Sequence, residues 1–322
     1  MLNGVGDVSV KDFLSQMTFL KHQGYKENII FHTSDTLELE QADCVIFIDC
    51  PEESSVFFKS VVEKNIDAKL MVWESGIINP RNLDKKFHNH FSTVFTYDDN
   101  VIDNKKYIKL CYSFEFPDKI ANTEFDSKKL CCLISGNKYS EHPLELYSKR
   151  LEVIDWFEKN KPSSFDLYGQ GWDKIIPPRN ILHRLINKFP YLSIVKGSKY
   201  KTYRGEVGSK IKIYSQYRFA LCFENAFGLT GYVSEKIFDC LFSGCVPIYL
   251  GADNIAEHIP SDCFIDMRGF KSVDELFDFI NNVSGSQYMS FQDAINKFLE
   301  TEKNGVFSLD YFSSTIIGEL KK

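Results

Sequence analysis

Apolar positions in this chain gather into short, nearly continuous runs, and the polar stretches between them carry helical spacing. In the first third, NIIFH (28–32), DCVIFIDC (43–50), AKLMVWES (68–75), STVFTYD (92–98) and YIKLCYS (107–113) read as strands, with helices predicted near 54–65 and 81–90. Runs this apolar belong to strands covered on both faces, so the interleaved order predicts a parallel sheet between helices. A polar connection, FEFPDKIANTEFDSK (114–128), carries Pro117 and closes this block. The pattern then restarts with KLCCLISGNK (129–138), a helix over 142–159, SFDLYGQG (164–171) and RFALCFENA (218–226). A helix and a buried strand follow within GYVSEKIFDCLFSGCVPIYLG (231–251), then CFIDM (263–267) and the helical SVDELFDFINNV (272–283). Further helices are expected over 288–303 and 307–320. The prediction is an α/β protein of two units, 1–126 and 127–322, with the C-terminal helices as candidates to fold back on the first.

Two such units place ligands at the carboxyl ends of their strands, in the cleft between them. One residue after a predicted strand stands out in the first unit, Glu74. In the second unit, the helix that opens at Ser234 puts Lys236 in its first turn, where the dipole already presents positive charge. A cation there needs an anion beside it. A phosphate at the helix N-terminus would supply one, with Gly228 and Gly231 in the preceding loop and Glu235 able to accept from ribose hydroxyls. Glu235 is equally explained as an acid in a first helical turn. YGQGWDK, with Gly169 and Gly171, matches neither the dinucleotide fingerprint nor the P-loop, which removes the main support for a dehydrogenase or a P-loop ATPase. The chain has no Asp-x-Asp triplet. Its Asp98-Asp99 pair reads as a turn after FTY rather than a metal site, so no metal ligands are assigned.

The chain's 322 residues and hydrophobic fraction of 43% are those of a globular protein. Net charge is −6, yet 173–212 holds ten basic residues against two acidic ones. A local basic stretch in an acidic protein speaks for an anionic small molecule or a membrane surface, not for nucleic acid. Within it, 177–210 mixes Ile181, Leu182, Leu185 and Ile186 with Arg179, Arg184 and Lys188, as an interfacial helix would; an insertion packed on its own domain explains the same residues. Nine cysteines without metal spacing read as reduced core thiols, and no signal peptide or long apolar span is evident. The expected location is the cytoplasm, with peripheral contact at the inner face of the membrane if 177–210 docks there.

The stretch FALCFENAFGLTGYVSEKIFDCLFSGCVPIYLGADNIAEHIPSDCFIDMRGF (219–270) resembles the signature region of the family-10 glycosyltransferases, the α1,3-fucosyltransferases: F-E-N, a short loop, Y-[VI]-[ST]-E-K, then V-P-[IV]-x-x-G and F-I. SGNKYSEHPLELYSKRLEVIDWF is similar to that family's strand and following helix, where Arg150 matches an arginine that contacts pyrophosphate. FDLYGQGW is similar to D-x-Y-G-[RK]-[GS], with Gln170 in place of the usual base. The resemblance covers about 130–280; in the first unit only VWESGIINPRN is similar.

The resemblance implies two facing Rossmann-like domains of GT-B type with an interdomain cleft. It implies a GDP-L-fucose donor, no required metal or other cofactor, and a glycan or lipid-linked oligosaccharide acceptor, as in glycan, lipopolysaccharide or protein glycosylation. Arg150, Lys236 and the amides at 234–236 would receive charge from the departing GDP. Tyr232 and Asn225 would shape the sugar and ribose pockets beside Glu235 and Gly169. Glu224 is either a further donor contact or a buried structural acid. Glu74 would be the general base; a surface carboxylate or a capping acid before NPRNLDKKF are the other readings of it. Rival functions are transfer of another GDP-deoxysugar, which hydrolysis of different GDP-sugars would separate, and a silent carbohydrate-binding protein, which would bind GDP-sugar without turnover.

Overall fold

The computed structural model describes residues 8–118, 120, 124–173 and 199–322. Two parallel sheets form from the apolar runs. The first, in the order β1-β2-β3-β4, comprises β1 (Cys44–Ile48), β2 (Asp67–Met71), β3 (Thr93–Thr96) and β4 (Tyr107–Lys109). The second, in the order β6-β5-β7-β8-β9, comprises β5 (Lys129–Ile134), β6 (Phe165–Tyr168), β7 (Tyr217–Phe223), β8 (Val246–Leu250) and β9 (Ile265–Asp266). Every pairing is parallel, as in Cys44 opposite Asp67 and Phe219 opposite Val246. All residues of β3 and β8 are buried, the two threonines of β3 included, so neither strand has a solvent-facing side.

The helices over Val56–Glu63, Tyr147–Asn160, Glu235–Phe242, Val273–Asn282, Gly285–Glu302 and Leu309–Leu320 lie where helical spacing places them. Three local readings differ. NIIFH forms no strand, because its side chains pack beside the first sheet without joining a ladder: Phe31 and Ile29 lie against the cluster that holds Met71 and Phe95. Residues 81–90 form two short 3₁₀ turns, Pro80–Leu83 and Phe87–His90, in place of an α-helix. Asp84 Oδ1 accepts from the amides of Lys86 and Phe87, and this local bond competes with helix continuation. A first helix, Val8–Lys26, was not anticipated; its Leu20 is buried with Phe312 and Ile316 of the last helix.

Polar contacts also join the halves. Asp99 does more than turn the chain after β3: its carboxylate meets Lys109 at 2.5 Å and, across the halves, His258 at 2.8 Å and Asn254 at 3.0 Å. Asn254 Oδ1 in turn accepts from the amide of Gly231 at 2.8 Å. Gly231 has φ +77°, and a Cβ there would lie 2.2 Å from Tyr97 O, so a glycine is required where the loop toward Lys236 crosses the first unit. All nine cysteines are unpaired. Among the described residues no helix is long and apolar enough to cross a membrane.

Candidate active site

The strand ends converge on one cleft of about 570 Å³. Asp49 follows β1, Trp73 and Glu74 follow β2, Ser135, Gly136 and Lys138 follow β5, Gly169 and Gln170 follow β6, and Asn225 follows β7; all line it. Phe13 and Gln16 of the first helix, Tyr112 and Phe114 complete the side of the first unit. Gly169 adopts φ +122°, and its missing Cβ would sit 2.1 Å from Ser135 O, so only glycine lets the β5 and β6 loops approach at the cleft floor.

Arg150 lies on the buried stripe of its helix with Tyr147, Val153, Ile154 and Phe157. Nη1 donates to Ser135 Oγ at 3.1 Å, while Nη2 donates to Phe223 O at 2.6 Å, Glu224 O at 2.7 Å and Asn225 Oδ1 at 3.3 Å. These acceptors are neutral, Nε has no partner, and burial works against the charge. A guanidinium held this way, at the wall of a cleft, has the capacity to pair with an anion.

The anion beside Lys236 is already part of the protein. Lys236 Nζ sits 3.1 Å from Glu224 Oε2 and 2.9 Å from Ser234 Oγ. Glu224 is fully buried; its Oε1 accepts from Ser234 N at 2.9 Å, and its Oε2 accepts from Ser234 Oγ at 2.7 Å as well as from Lys236. Glu224 therefore lies behind the wall and not on it, because both of its oxygens are engaged by Ser234 and Lys236. The helix amides are also less open than expected. Ser234 N is taken by Glu224, and Lys236 N donates to the capping Ser234 Oγ at 3.4 Å. The side chains of Lys236 and Arg150 remain as cations of this wall, which also carries Lys138 and Lys210. Burial opposes the charge on Lys236, but Glu224 and Glu235 hold its pKa above the usual range.

Glu235, the first residue of that helix, also lines the cleft. Burial alone would push its carboxyl up, yet Lys236 at 3.8 Å and Lys210 at 3.6 Å bring it down to about 2. Tyr232 reaches across from the second unit, buried with Tyr97 at a ring separation of 4.8 Å, and borders the cleft. Across the cleft, burial raises the carboxyl of Glu74 above its ordinary value; Asp49 adds to this and Lys236 opposes it.

Sequence reasoning missed Asp49, Lys138, Lys210, Trp73 and Gln16, which all border the cleft. Asp49 carried a visible signal, an acid directly after the run CVIFI. The interfacial-helix candidate is different: 174–198 lies outside the described residues. Of the basic stretch that is described, Arg204 pairs with Asp166, and Lys210 pairs with Asp239 at 2.8 Å. Among the described residues no group of three His, Cys, Asp or Glu side chains converges as a metal site.

Residues 146–302 match the family described as "Glycosyltransferase family 10 (fucosyltransferase) C-term". This stretch is a family-10 glycosyltransferase domain. The family-10 domain contributes Gly169, Arg150, Asn225, Tyr232, Glu235 and Lys236 to the cleft, while Asp49 and Glu74 come from outside it. The chain is 34% identical over 135 residues to Alpha-(1,3)-fucosyltransferase FucT of Helicobacter pylori, covering 42% of this chain and 24% of that protein. It is 41% identical over 69 residues to Alpha-(1,4)-fucosyltransferase of Arabidopsis thaliana, covering 21% of this chain and 17% of that one. The chain thus matches a quarter or less of these relatives' own length. A crystal structure of an α1,3-fucosyltransferase with GDP-fucose superposes with a TM-score of 0.57 at 18% identity, covering 99% of this chain and 89% of the other. That likeness is one of fold: two facing Rossmann-like units in the GT-B arrangement.

Proposed function

We propose that the protein is an inverting fucosyltransferase that moves L-fucose from GDP-β-L-fucose to a glycan hydroxyl, with an α1,3 linkage. The observation that carries this reading is the polarity of the cleft. A buried guanidinium with only neutral partners and Lys236 stand on the family-10 wall, and Glu74, with raised proton affinity, stands on the other.

In the reaction, Glu74 takes the proton of the acceptor hydroxyl as that oxygen bonds to the anomeric carbon. The bond from that carbon to the β-phosphate oxygen breaks on the opposite face, and its electron pair leaves with GDP. Attack opposite the leaving group converts a β donor to an α product. Arg150 and Lys236 meet the charge that grows on the diphosphate, which is where preorganised cations lower a barrier most. Glu235, ionised far below neutrality, suits a ribose diol as a two-hydroxyl acceptor. Tyr232 and Asn225 bound the space for ribose and sugar, and Gly169 lets the β5 and β6 loops close together as the floor beneath the donor.

A glycan array incubated with labelled GDP-fucose tests the proposal. Transfer to at least one acceptor, with linkage read by NMR, is the expected outcome. GDP-fucose binding without transfer to any glycan, or turnover of another GDP-deoxysugar in its place, would overturn it.

A further inference from the structure

The short loop that carries Glu74 is anchored by one carboxylate. Asp49, immediately after β1, adopts φ +62°, which turns its side chain toward the end of β2. Its Oδ1 accepts from Trp73 N at 2.7 Å, Glu74 N at 2.9 Å and Asn82 Nδ2 at 2.7 Å. Asn82, 3% exposed, also donates to Glu74 O at 2.9 Å, and its own oxygen accepts from Cys50 N at 2.8 Å. Both the N–H and the C=O of Glu74 are therefore fixed by this Asp49–Asn82 pair. A loop base without such support would sample several positions, and a misplacement of about 1 Å can cost roughly 10²-fold in rate.

We propose that Asp49 is the positioning residue for the general base, fixing the backbone of Glu74 and holding a second negative charge beside its carboxylate. The proposal rests on the reading of Glu74 as base. Among the described residues, the titratable groups within electrostatic reach of Glu74 are Asp49, Tyr97 and Tyr112 of the first unit and Lys236, Glu235, Lys138, Tyr147 and Tyr232 of the second. Asp49 is the charged group on the same wall as Glu74, and it acts in the same direction as burial, toward a stronger base. One residue thus supplies geometry through Oδ1 and basicity through its charge.

Two variants separate these contributions. Asp49→Asn keeps an oxygen for the three donors but removes the charge. Asp49→Ala removes both. The measurement is the pH profile of kcat/KM for transfer from GDP-fucose to an acceptor from the glycan panel, with GDP affinity titrated in parallel and Glu74→Gln as reference. Glu74→Gln should lose transfer by roughly 10² or more while binding GDP normally. In Asp49→Asn the acid limb should move down by about half a unit or more, with a lower plateau from the weaker base. Asp49→Ala should lose about tenfold or more in kcat with unchanged GDP affinity. An Asp49→Asn profile with the wild-type acid limb, while Glu74→Gln is inactive, overturns the role of Asp49 alone. This comparison decides even if Asp49→Ala does not fold. An active Glu74→Gln overturns the base assignment itself.

Discussion

Removing Lys236 should damage the protein in two separable ways. Its ammonium lies 3.1 Å from a carboxylate with no exposed surface, while the lysine side chain itself is 25% exposed. At that separation the attraction is roughly 5 kcal/mol for an effective dielectric constant of about 20. Solvent at the lysine end weakens it, and the two bonds from Ser234 to Glu224 survive the substitution. Lys236→Ala should therefore cost about 3 kcal/mol of stability, the low end for breaking a buried pair, visible as a lower urea midpoint. Transfer should fall independently by roughly 10², since a cation facing the diphosphate is also lost. The double variant Glu224→Gln/Lys236→Ala separates the two effects. It leaves no bare buried charge, so it should recover at least half of the lost stability while transfer stays low. A Lys236→Ala protein with the wild-type midpoint would refute the pairing argument. A double variant with restored transfer would show that Lys236 serves only to neutralise Glu224.

Glu235, held at about 2 against an ordinary 4.5, contributes stability that is present above the ordinary value and lost as pH falls toward 2. Glu235→Gln should flatten the acid loss of the urea midpoint between about pH 5 and pH 2, and an unchanged acid slope would contradict this. Gly231→Ala should destabilise by about 2 kcal/mol or more and weaken GDP binding, because the new Cβ would strike Tyr97 O and disturb the loop leading to Tyr232 and Lys236; calorimetric titration of GDP checks it. With charge on GDP met by side chains, transfer should survive EDTA; complete loss restored by manganese would contradict the mechanism.

The strands were legible because most of their residues are buried and so fall within largely apolar runs; β8, buried throughout and free of polar side chains but for Tyr249, is the clear case. Lys236 was legible as an anomaly, but its partner was not. Glu224 sits twelve positions upstream at the end of a strand, and only the return of the chain through Gly231 brings the two together. The first helix escaped notice because its buried side faces the last helix, the most distant part of the chain, and sequence spacing carries no record of such a contact. Asp49 was overlooked for a similar reason. A single acid after a strand is ordinary until two amides of the β2 loop and the side chain of Asn82 are seen to donate hydrogen bonds to it.

The central claim, fucosyl transfer by direct displacement across this cleft, is tested most directly by the anomeric configuration of the first-formed product. NMR of the reaction of GDP-β-L-fucose with an acceptor found on the array should show an α-fucosyl product accumulating with GDP. A β-fucosyl product, or GDP released at the same rate with no glycoside formed, would contradict the account.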